Sequence, residues 1–243
     1  MTTYSRIEDA WEELEDFEGA PVIHPKYQCR MCGEPIEESF TRTSGVCFYC
    51  NKGKNEVGEF VDRIFTVSIY FKQTVTSDHE LSKEIRAAKE GENVDKMSDI
   101  LGWGMGRFTS LTETDILVPP PSGSGEEYNH MAEIGKRLSN KVGVELADVT
   151  YKLEDYSPQK DMDNQEDRKE NVRGKVGCDK DLSDVSKAVV IDDIVTTCST
   201  ISDTARALKE AGVDTVYGLG IARTVSFEGL VHAEALEEVD NGN

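Results

Sequence analysis

The second half of the chain alternates between short apolar runs and amphipathic segments. Apolar runs at residues 115–120, 187–192 and 214–223 have the length of buried strands. Apolar side chains recur at helical spacing in residues 126–142 and 199–211. Strands that alternate with helices usually pair in parallel, so this pattern predicts an α/β fold in which a parallel sheet carries helices on both faces.

The same fold extends toward the N-terminus. Residues 60–71 are rich in β-branched and aromatic side chains and predict a strand. Residues 78–91 and 93–108 have the pattern of helices, and residues 144–153 alternate like a strand. We therefore expect one domain over residues 57–224.

The two ends of the chain differ from this domain. Residues 225–243 form an acidic tail in the sequence. Residues 1–26 are predicted to carry a helix that packs on the rest of the protein, because apolar side chains recur there at helical spacing. Those side chains are Ile7, Ala10, Trp11, Leu14 and Phe17.

Two CxxC pairs lie within residues 27–55, a segment with little hydrophobic periodicity. The cysteines are Cys29, Cys32, Cys47 and Cys50. Four thiolates complete a tetrahedral zinc site that is closed to water, which is typical of a structural metal. So short a segment cannot fold on a core of its own, and the metal would stabilise it. Free thiols, two disulfides or a redox-active pair are the alternatives to this zinc ribbon.

The stretch "VVIDDIVTTCST" at residues 189–200 places two acids after an apolar strand and before a helix. Ligands of parallel sheets bind at the carboxyl ends of strands, where Asp192 and Asp193 are expected. The N-terminus of the following helix offers free N–H groups and a positive dipole end. Hydroxyl donors surround it: Thr196, Thr197, Ser199 and Thr200. This combination predicts a cradle for a phosphate group.

The two acids are suited to a ligand with vicinal hydroxyls, because a carboxylate accepts strong, charge-assisted hydrogen bonds. Acids beside a phosphate cradle together describe a site for a ribose 5-phosphate. The alternative is an aspartate that caps a helix with a Ser/Thr-rich first turn. A cap accounts for one acid and one hydroxyl, whereas residues 192–200 contain two acids and four hydroxyls.

This stretch resembles the motif with which type I phosphoribosyltransferases bind 5-phosphoribosyl 1-pyrophosphate (PRPP). A four-cysteine ribbon followed by such a domain resembles the ComF-type family, over residues 27–224. Two further segments fit that family. They are "LVPPP…EEYNHMAEIGKRL", with Tyr128, Asn129 and His130, and "PQKDMDNQEDRKENVRGKV", with Gln159, Arg168, Asn171 and Val172.

The resemblance implies a role for each part of the site. Asp192 and Asp193 would hold the ribose hydroxyls and act in catalysis, and the hydroxyl residues would bind the 5-phosphate. Residues 119–125 would approach the pyrophosphate, and residues 154–171 would close over the site. Magnesium would bind together with PRPP. The PRPP-binding residues would be Asp192, Asp193, Ile194, Val195, Thr196, Thr197, Cys198, Ser199 and Thr200.

The implied reaction transfers the phosphoribosyl group to a nitrogen acceptor and releases pyrophosphate. The sequence does not identify the acceptor. The alternative is a non-catalytic protein that senses PRPP, or an accessory to DNA uptake or processing as the family resemblance implies. Nucleic acid enters only through this resemblance, and a homodimer is left open.

The chain departs from the family pattern at two places. Cys198 stands where the family usually has glycine, and it costs about 1 kcal/mol or more if the backbone there needs a positive φ. The loop at residues 122–127 reads "SGSGEE", with acids where relatives carry basic residues. Lys152, Lys160 and Arg168 are the candidates to compensate for these acids.

The formal net charge of −20 is spread along the whole chain. Such a surface repels nucleic acid and anionic membranes at ordinary salt. We interpret the charge as halophilic adaptation, since high salt screens the repulsion. The sequence contains neither an apolar stretch of membrane-span length nor a secretory signal, so it predicts a soluble cytoplasmic protein.

Overall fold

A computed structural model describes most of the chain, namely residues 11–14, 17, 22–36, 44–53, 57, 59–72, 79–122, 128–153 and 174–224. The predictions for residues 1–10, for the closing segment at 154–171 and for the tail at 225–243 therefore fall outside the described residues. None of the helices in the described part has both the length and the apolar content of a membrane span.

The described part contains nine strands and five α-helices. The strands are β1 (Trp11–Leu14), β2 (Val22–Pro25), β3 (Arg63–Tyr70), β4 (Ile116–Val118), β5 (Glu145–Leu146), β6 (Thr150–Lys152), β7 (Val176–Cys178), β8 (Lys187–Val195) and β9 (Thr215–Thr224). The helices are α1 (Phe48–Asn51), α2 (Glu80–Ala88), α3 (Val94–Arg107), α4 (His130–Val142) and α5 (Ser199–Glu210).

Five of these strands form one parallel sheet in the order β3-β9-β8-β4-β5. The predicted parallel sheet is therefore confirmed. The strand expected at residues 187–192 continues to Val195, because pairing with β9 extends that far. The single strand expected at residues 144–153 is wrong: β5 joins the main sheet, whereas β6 pairs with β7 in a separate antiparallel ribbon.

Helices cover both faces of the sheet, as the alternation predicts. On one face, α2, α3 and α4 pack on Val67, Ile191 and Leu219 through buried side chains such as Ile85, Leu101 and Ile134. On the other face, α5 packs on Val190 and Val216 through Ile201, Ala205 and Leu208. The cysteine segment shares this second core, to which Cys29, Cys32 and Cys47 contribute buried side chains.

The helix predicted near the N-terminus is wrong where the structure describes it. Trp11–Leu14 form a strand that pairs antiparallel with Val22–Pro25. This hairpin lies against β3, where the ring Nδ1 of His24 is 2.6 Å from the carbonyl oxygen of Val67. The apolar spacing fitted a helix, but Gly19 and Pro21 between the two strands are a turn signal that outweighs it.

The cysteine segment docks on the exposed edge of β3. The backbone N–H of Ile64 donates to the carbonyl of Met31 at 2.7 Å, and the amide of Gln28 donates to the carbonyl of Thr66 at 2.7 Å. The Thr66 hydroxyl also donates to the carbonyl of Gly33 at 2.9 Å. Gly33 has a φ of +72°, and a Cβ there would lie 3.1 Å from the backbone oxygen of Ile64. The segment thus covers an edge strand that would otherwise expose unpaired backbone groups.

Candidate functional site

The acids and hydroxyls of residues 192–200 lie where the connections of the sheet change direction. From β8 the chain passes through α5 to β9 on one side, whereas from β4 it passes through α4 to β5 on the other. Because α4 and α5 cover opposite faces, the ends of β4 and β8 form a switch point, and open α/β sheets have a crevice between the carboxyl ends of the two strands at such a point. Open α/β sheets bind ligands at such a switch point.

The two acids stand beyond the end of β4. Val118, the last residue of β4, pairs with Val190, so residues 191–195 of β8 pair with β9 but with no other described strand. The N–H of Asp193 donates to Oδ1 of Asp192 at 3.0 Å, and the N–H of Ile194 donates to Oδ1 of Asp193 at 2.6 Å. Backbone donors thus fix one oxygen of each carboxylate near the carboxyl end of β8.

Two basic side chains from distant elements meet the second oxygen of Asp193. Nζ of Lys89, just after α2, is 2.9 Å from Oδ2, and Nε2 of His130, the first residue of α4, is 3.0 Å from the same atom. Sequence reasoning marked His130 only as part of a helix start and missed Lys89 altogether. No motif or periodicity distinguishes Lys89, because the fold alone brings the end of α2 to this crevice.

These partners separate the pKa values of the two acids. Burial alone would raise the pKa of Asp193, but the hydrogen bond with His130 and the charge of Lys89 outweigh it and lower the pKa to about 2. Burial and then the charge of Asp193 raise the pKa of Asp192 well above its ordinary value. Asp193 is therefore a carboxylate that balances Lys89, whereas Asp192 holds its proton more readily.

The hydroxyl residues line the start of α5. The Thr197 and Ser199 hydroxyls are 2.9 Å apart, and the Thr196 hydroxyl is 3.0 Å from that of Thr224 at the end of β9. The first N–H groups of a helix have no partners within the helix, and the dipole makes this end positive. Thr196 and Thr200 are exposed, whereas Thr197 is half-buried and Ser199 is buried.

Cys198 adopts the left-handed backbone conformation considered from the sequence. Its φ is +70°, and it is the residue that precedes α5. Its thiol is buried and accepts a hydrogen bond at 3.1 Å from Nη1 of Arg223. The same arginine donates through Nε to Glu34 of the cysteine segment at 2.8 Å. Sequence reasoning predicted neither contact.

The four predicted metal ligands come together. Their sulfur atoms all lie within 4.8 Å of one another, and Sγ of Cys32 is 3.7 Å from Sγ of Cys47. Zinc–sulfur bonds of about 2.3 Å in a tetrahedron place sulfur atoms about 3.8 Å apart, whereas a disulfide needs about 2.05 Å. Backbone N–H groups of Cys47 and Cys50 point at sulfur atoms of the cluster. All six cysteines are free, so the donor set fits zinc and not two disulfides.

The loop after β4 is held in place where the structure describes it. Asn129 caps α4 by accepting from the N–H of Ala132 at 3.1 Å, and its amide donates to the carbonyl of Pro120 at 3.3 Å. The Thr150 hydroxyl donates to the carbonyl of Pro119 at 3.3 Å. Residues 123–127, which contain most of the acid-rich part, lie outside the described residues.

The described flanks of the 154–171 segment are joined to each other and to α5. The N–H of Leu153 donates to the carbonyl of Lys175 at 2.8 Å. Asp203 in α5 accepts from the N–H groups of Gly174, Lys175 and Val176 at 2.8–2.9 Å. Of the predicted compensating cations, Lys152 lies in β6. Lys160 and Arg168 fall in the part of the chain that the structure does not describe.

Neither the models of known protein families nor the curated proteins include a match to this chain. Among solved structures, similarity extends to an allosteric regulatory enzyme of purine biosynthesis, with 17% identity, a TM-score of 0.35 and coverage of 53% of this chain and 26% of that one. Glutamine PRPP amidotransferase from B. subtilis has 17% identity, a TM-score of 0.35 and coverage of 52% and 25%. Adenine phosphoribosyltransferase from Saccharomyces cerevisiae has 10% identity, a TM-score of 0.32 and coverage of 97% and 95%. The matched region spans about a quarter of the first two proteins.

Proposed function

We propose that this protein binds PRPP in the crevice between β4 and β8 and transfers its phosphoribosyl group to a nitrogen acceptor. One observation carries the proposal: the half-buried Asp192 and the buried Asp193, at the end of a central strand, lead directly into a hydroxyl-lined helix N-terminus. The acids suit the ribose hydroxyls and the helix start suits the 5-phosphate. Both groups belong to one stretch whose sequence resembles the PRPP motif.

The 5-phosphate is assigned to the start of α5. Thr197 and Ser199 supply hydroxyl donors 2.9 Å apart, and the first turn of the helix supplies N–H groups. Anions bind at such an end because its donors and its dipole act in the same direction. No lysine or arginine is needed for this part of the ligand.

The ribose hydroxyls are assigned to the acids. Asp193 is charged and has Lys89 and His130 on one oxygen, so Asp192 is the acid whose protonation responds to a ligand. In the reaction, a bond forms between the acceptor nitrogen and the anomeric carbon while the bond from that carbon to the pyrophosphate oxygen breaks. The carboxylates would stabilise the positive charge that develops on the sugar.

Lys89 supplies the cation that the loop sequence lacks. Its side chain is 46% exposed, so its ammonium group pairs with Asp193 and stays accessible from the crevice. The loop at residues 122–127 contains acids and no basic residue. Lys89 would therefore offset part of the charge of the pyrophosphate.

Magnesium fits the same place. Carboxylate and phosphate oxygens are the ligands that it prefers, and it commonly binds through one or two carboxylates and the substrate. Asp192, beside the assigned ribose position, would hold it together with ligand oxygens. When bound, the ion neutralises charge on the leaving pyrophosphate.

Calorimetric titration of PRPP with magnesium at high salt tests the proposal. The wild type should bind, and Asp193→Asn should lower the affinity about ten- to a hundred-fold, because a charge-assisted bond contributes about 1.5–3 kcal/mol. Thr197→Val should act similarly through the phosphate. The matched control is Asp184→Asn, an exposed acid before β8 at the opposite end of that strand, and it should leave the affinity unchanged.

A wild type that does not bind PRPP, or an Asp193→Asn variant that binds it equally well, would show that the acids only cap the helix. Release of pyrophosphate from PRPP with a panel of nitrogen bases then separates two classes of protein. Release identifies a transferase. Binding without release identifies a PRPP-binding module, which the acids of residues 126–127 favour.

A further inference from the structure

A chain of buried groups joins the cysteine segment to the phosphate cradle. Glu34 belongs to the turn that carries Cys29 and Cys32, Arg223 lies at the end of β9, and Cys198 precedes α5. Arg223 donates to Glu34 at 2.8 Å and to the Cys198 thiol at 3.1 Å. The side chains of Arg223 and Glu34 are 2% and 5% exposed, so water does not replace these contacts.

The cysteine turn fixes one end of this chain. The N–H of Cys29 donates to the carbonyl of Glu34 at 2.7 Å, and the N–H of Gly33 donates to the carbonyl of Cys29 at 3.1 Å. The position of Glu34 therefore depends on the turn that holds two of the four cluster thiols.

The other end of the chain sets the geometry of the cradle. Cys198 has a φ of +70°, which side chains other than glycine rarely adopt. This conformation turns the chain from Thr197 into α5, whose first hydrogen bond runs from the N–H of Ser202 to the carbonyl of Cys198 at 2.9 Å. A glycine would adopt the conformation without help, but it would have no side chain for the cysteine segment to hold.

We infer that the cysteine ribbon positions the phosphate cradle through Glu34, Arg223 and Cys198. Arg223 is a positioning residue: it contacts the thiol behind the cradle and not the ligand. The ribbon is then part of the binding machinery, in addition to its role as a docked folding unit. That the ligand is PRPP rests on the proposed function. That the ribbon holds the backbone of the cradle in place does not rest on it.

Two substitutions at one position separate positioning from general stability. Cys198→Ala and Cys198→Gly both remove the thiol, but only alanine keeps a Cβ in the left-handed conformation. Amide hydrogen exchange at residues 196–201 should become about tenfold faster in Cys198→Ala and change less in Cys198→Gly. Exchange in Cys198→Ala equal to that in the wild type would overturn the inference, because the thiol contact would then not be what holds this conformation.

A double-mutant cycle tests whether Glu34 of the ribbon acts on the cradle through Cys198. Glu34→Gln keeps the shape of the side chain but removes its charge, and it should lower the affinity for PRPP about tenfold in the wild-type background. In the Cys198→Gly background the same change should have almost no effect, because the cradle no longer depends on Arg223. Glu145→Gln, at an exposed position of β5, is the control and should be silent in both backgrounds.

Equal losses from Glu34→Gln in both backgrounds would overturn the inference and show that Glu34 acts on global stability. If Glu34→Gln does not fold, the Ala and Gly variants decide the question without it. If the wild type does not bind PRPP, the proposed function fails, but the exchange measurements still decide whether the ribbon holds the cradle.

Discussion

The two halves of residues 192–200 rest on different parts of the molecule. The acid half is held by Lys89 and His130, which come from the helices on one face of the sheet. The hydroxyl half is held through Cys198 by Arg223 and Glu34, which link it to the ribbon on the other side. The first support is partly exposed, with Lys89 46% accessible, whereas Arg223 in the second is 2% accessible.

This difference shows how a local motif depends on distant residues. His130 and Asp193 are 63 positions apart in the chain, and Glu34 and Arg223 are 189 apart. A partly exposed ion pair contributes little stability but places charge where a ligand meets it. A buried pair costs much to break, because one partner is left charged and unpaired. We therefore expect the acid half to tune ligand affinity and the hydroxyl half to depend on the integrity of the fold.

Loss of the metal should have the largest effect and should separate the two halves. The wild type should contain near-equimolar zinc by elemental analysis, and Cys47→Ser should lose it. The thermal midpoint should fall by about 10 °C, since a loss of several kcal/mol shifts it by about 2–4 °C per kcal/mol in a chain of this size. Hydrogen exchange should rise at residues 196–201 and much less at residues 130–138.

The control for this experiment is Cys178→Ser, because Cys178 is half-buried in β7 and lies outside the cluster. It should keep the metal and the midpoint. Zinc-free wild-type protein with an unchanged midpoint would contradict the assignment of the cluster as a structural metal site. Equal changes in hydrogen exchange in both halves after metal loss would contradict the claim that only the hydroxyl half depends on the ribbon.

The sequence predicted the secondary structure and residue types of the site better than the distant side chains that hold it in place. Local patterns predict the strand over residues 187–192, helix α5 and the cluster of four cysteines, because periodicity and CxxC spacing act over a few residues. The acidic and hydroxyl residues of the site were likewise recognisable from their residue types and spacing. Lys89 was not, because its contact depends on where the end of α2 meets the sheet.

The ribbon's link to the cradle was beyond sequence reasoning for a similar reason. Arg223 ends an apolar strand and Glu34 follows a cysteine turn, so nothing local relates them. The unusual cysteine at position 198 was the one signal, since a non-glycine residue at a positive φ needs a compensating contact. The N-terminal hairpin was missed because helical spacing over a few residues does not reveal a strand partner.

Removal of the lysine charge should affect the acid half alone. Lys89→Met keeps an unbranched side chain but leaves Asp193 with His130 as its remaining basic partner among those described. PRPP affinity should fall about tenfold, and ribose 5-phosphate affinity should fall less because it lacks the pyrophosphate. The free energy of unfolding should change by about 1 kcal/mol or less, as for other partly exposed pairs.

Lys83→Met is the matched control, because Lys83 lies on α2, which ends just before Lys89, in an exposed pair with Glu80 at 2.7 Å. It should leave both affinities unchanged. Equal losses for PRPP and ribose 5-phosphate would show that Lys89 acts on the sugar or on the fold and not on the pyrophosphate.

Salt should have a smaller effect, and it should weaken the contact of Lys89 with Asp193 more than the buried contact of Arg223 with Glu34. With a net charge of −20, the thermal midpoint of the wild type should rise from dilute buffer to molar potassium chloride as self-repulsion is screened. The midpoint difference between wild type and Lys89→Met should shrink over the same range. The difference between wild type and Glu34→Gln should persist, because that pair is buried. A midpoint independent of salt would contradict the halophilic interpretation.

Proton release on binding should be the smallest effect and is specific to the acid half. In the free protein, burial and the charge of Asp193 raise the pKa of Asp192. Ribose hydroxyls and magnesium favour the carboxylate, so binding should lower that pKa and release a proton at mildly acidic pH. The affinity should accordingly increase with pH until Asp192 is ionised in the free protein, and then level off.

Asp193→Asn removes the neighbouring charge, so it should lower the free-state pKa of Asp192 and reduce the release. Titration in two buffers of different ionisation enthalpy measures the number of protons, and proton uptake, or a release unchanged in Asp193→Asn, would show that the ligand does not meet Asp192.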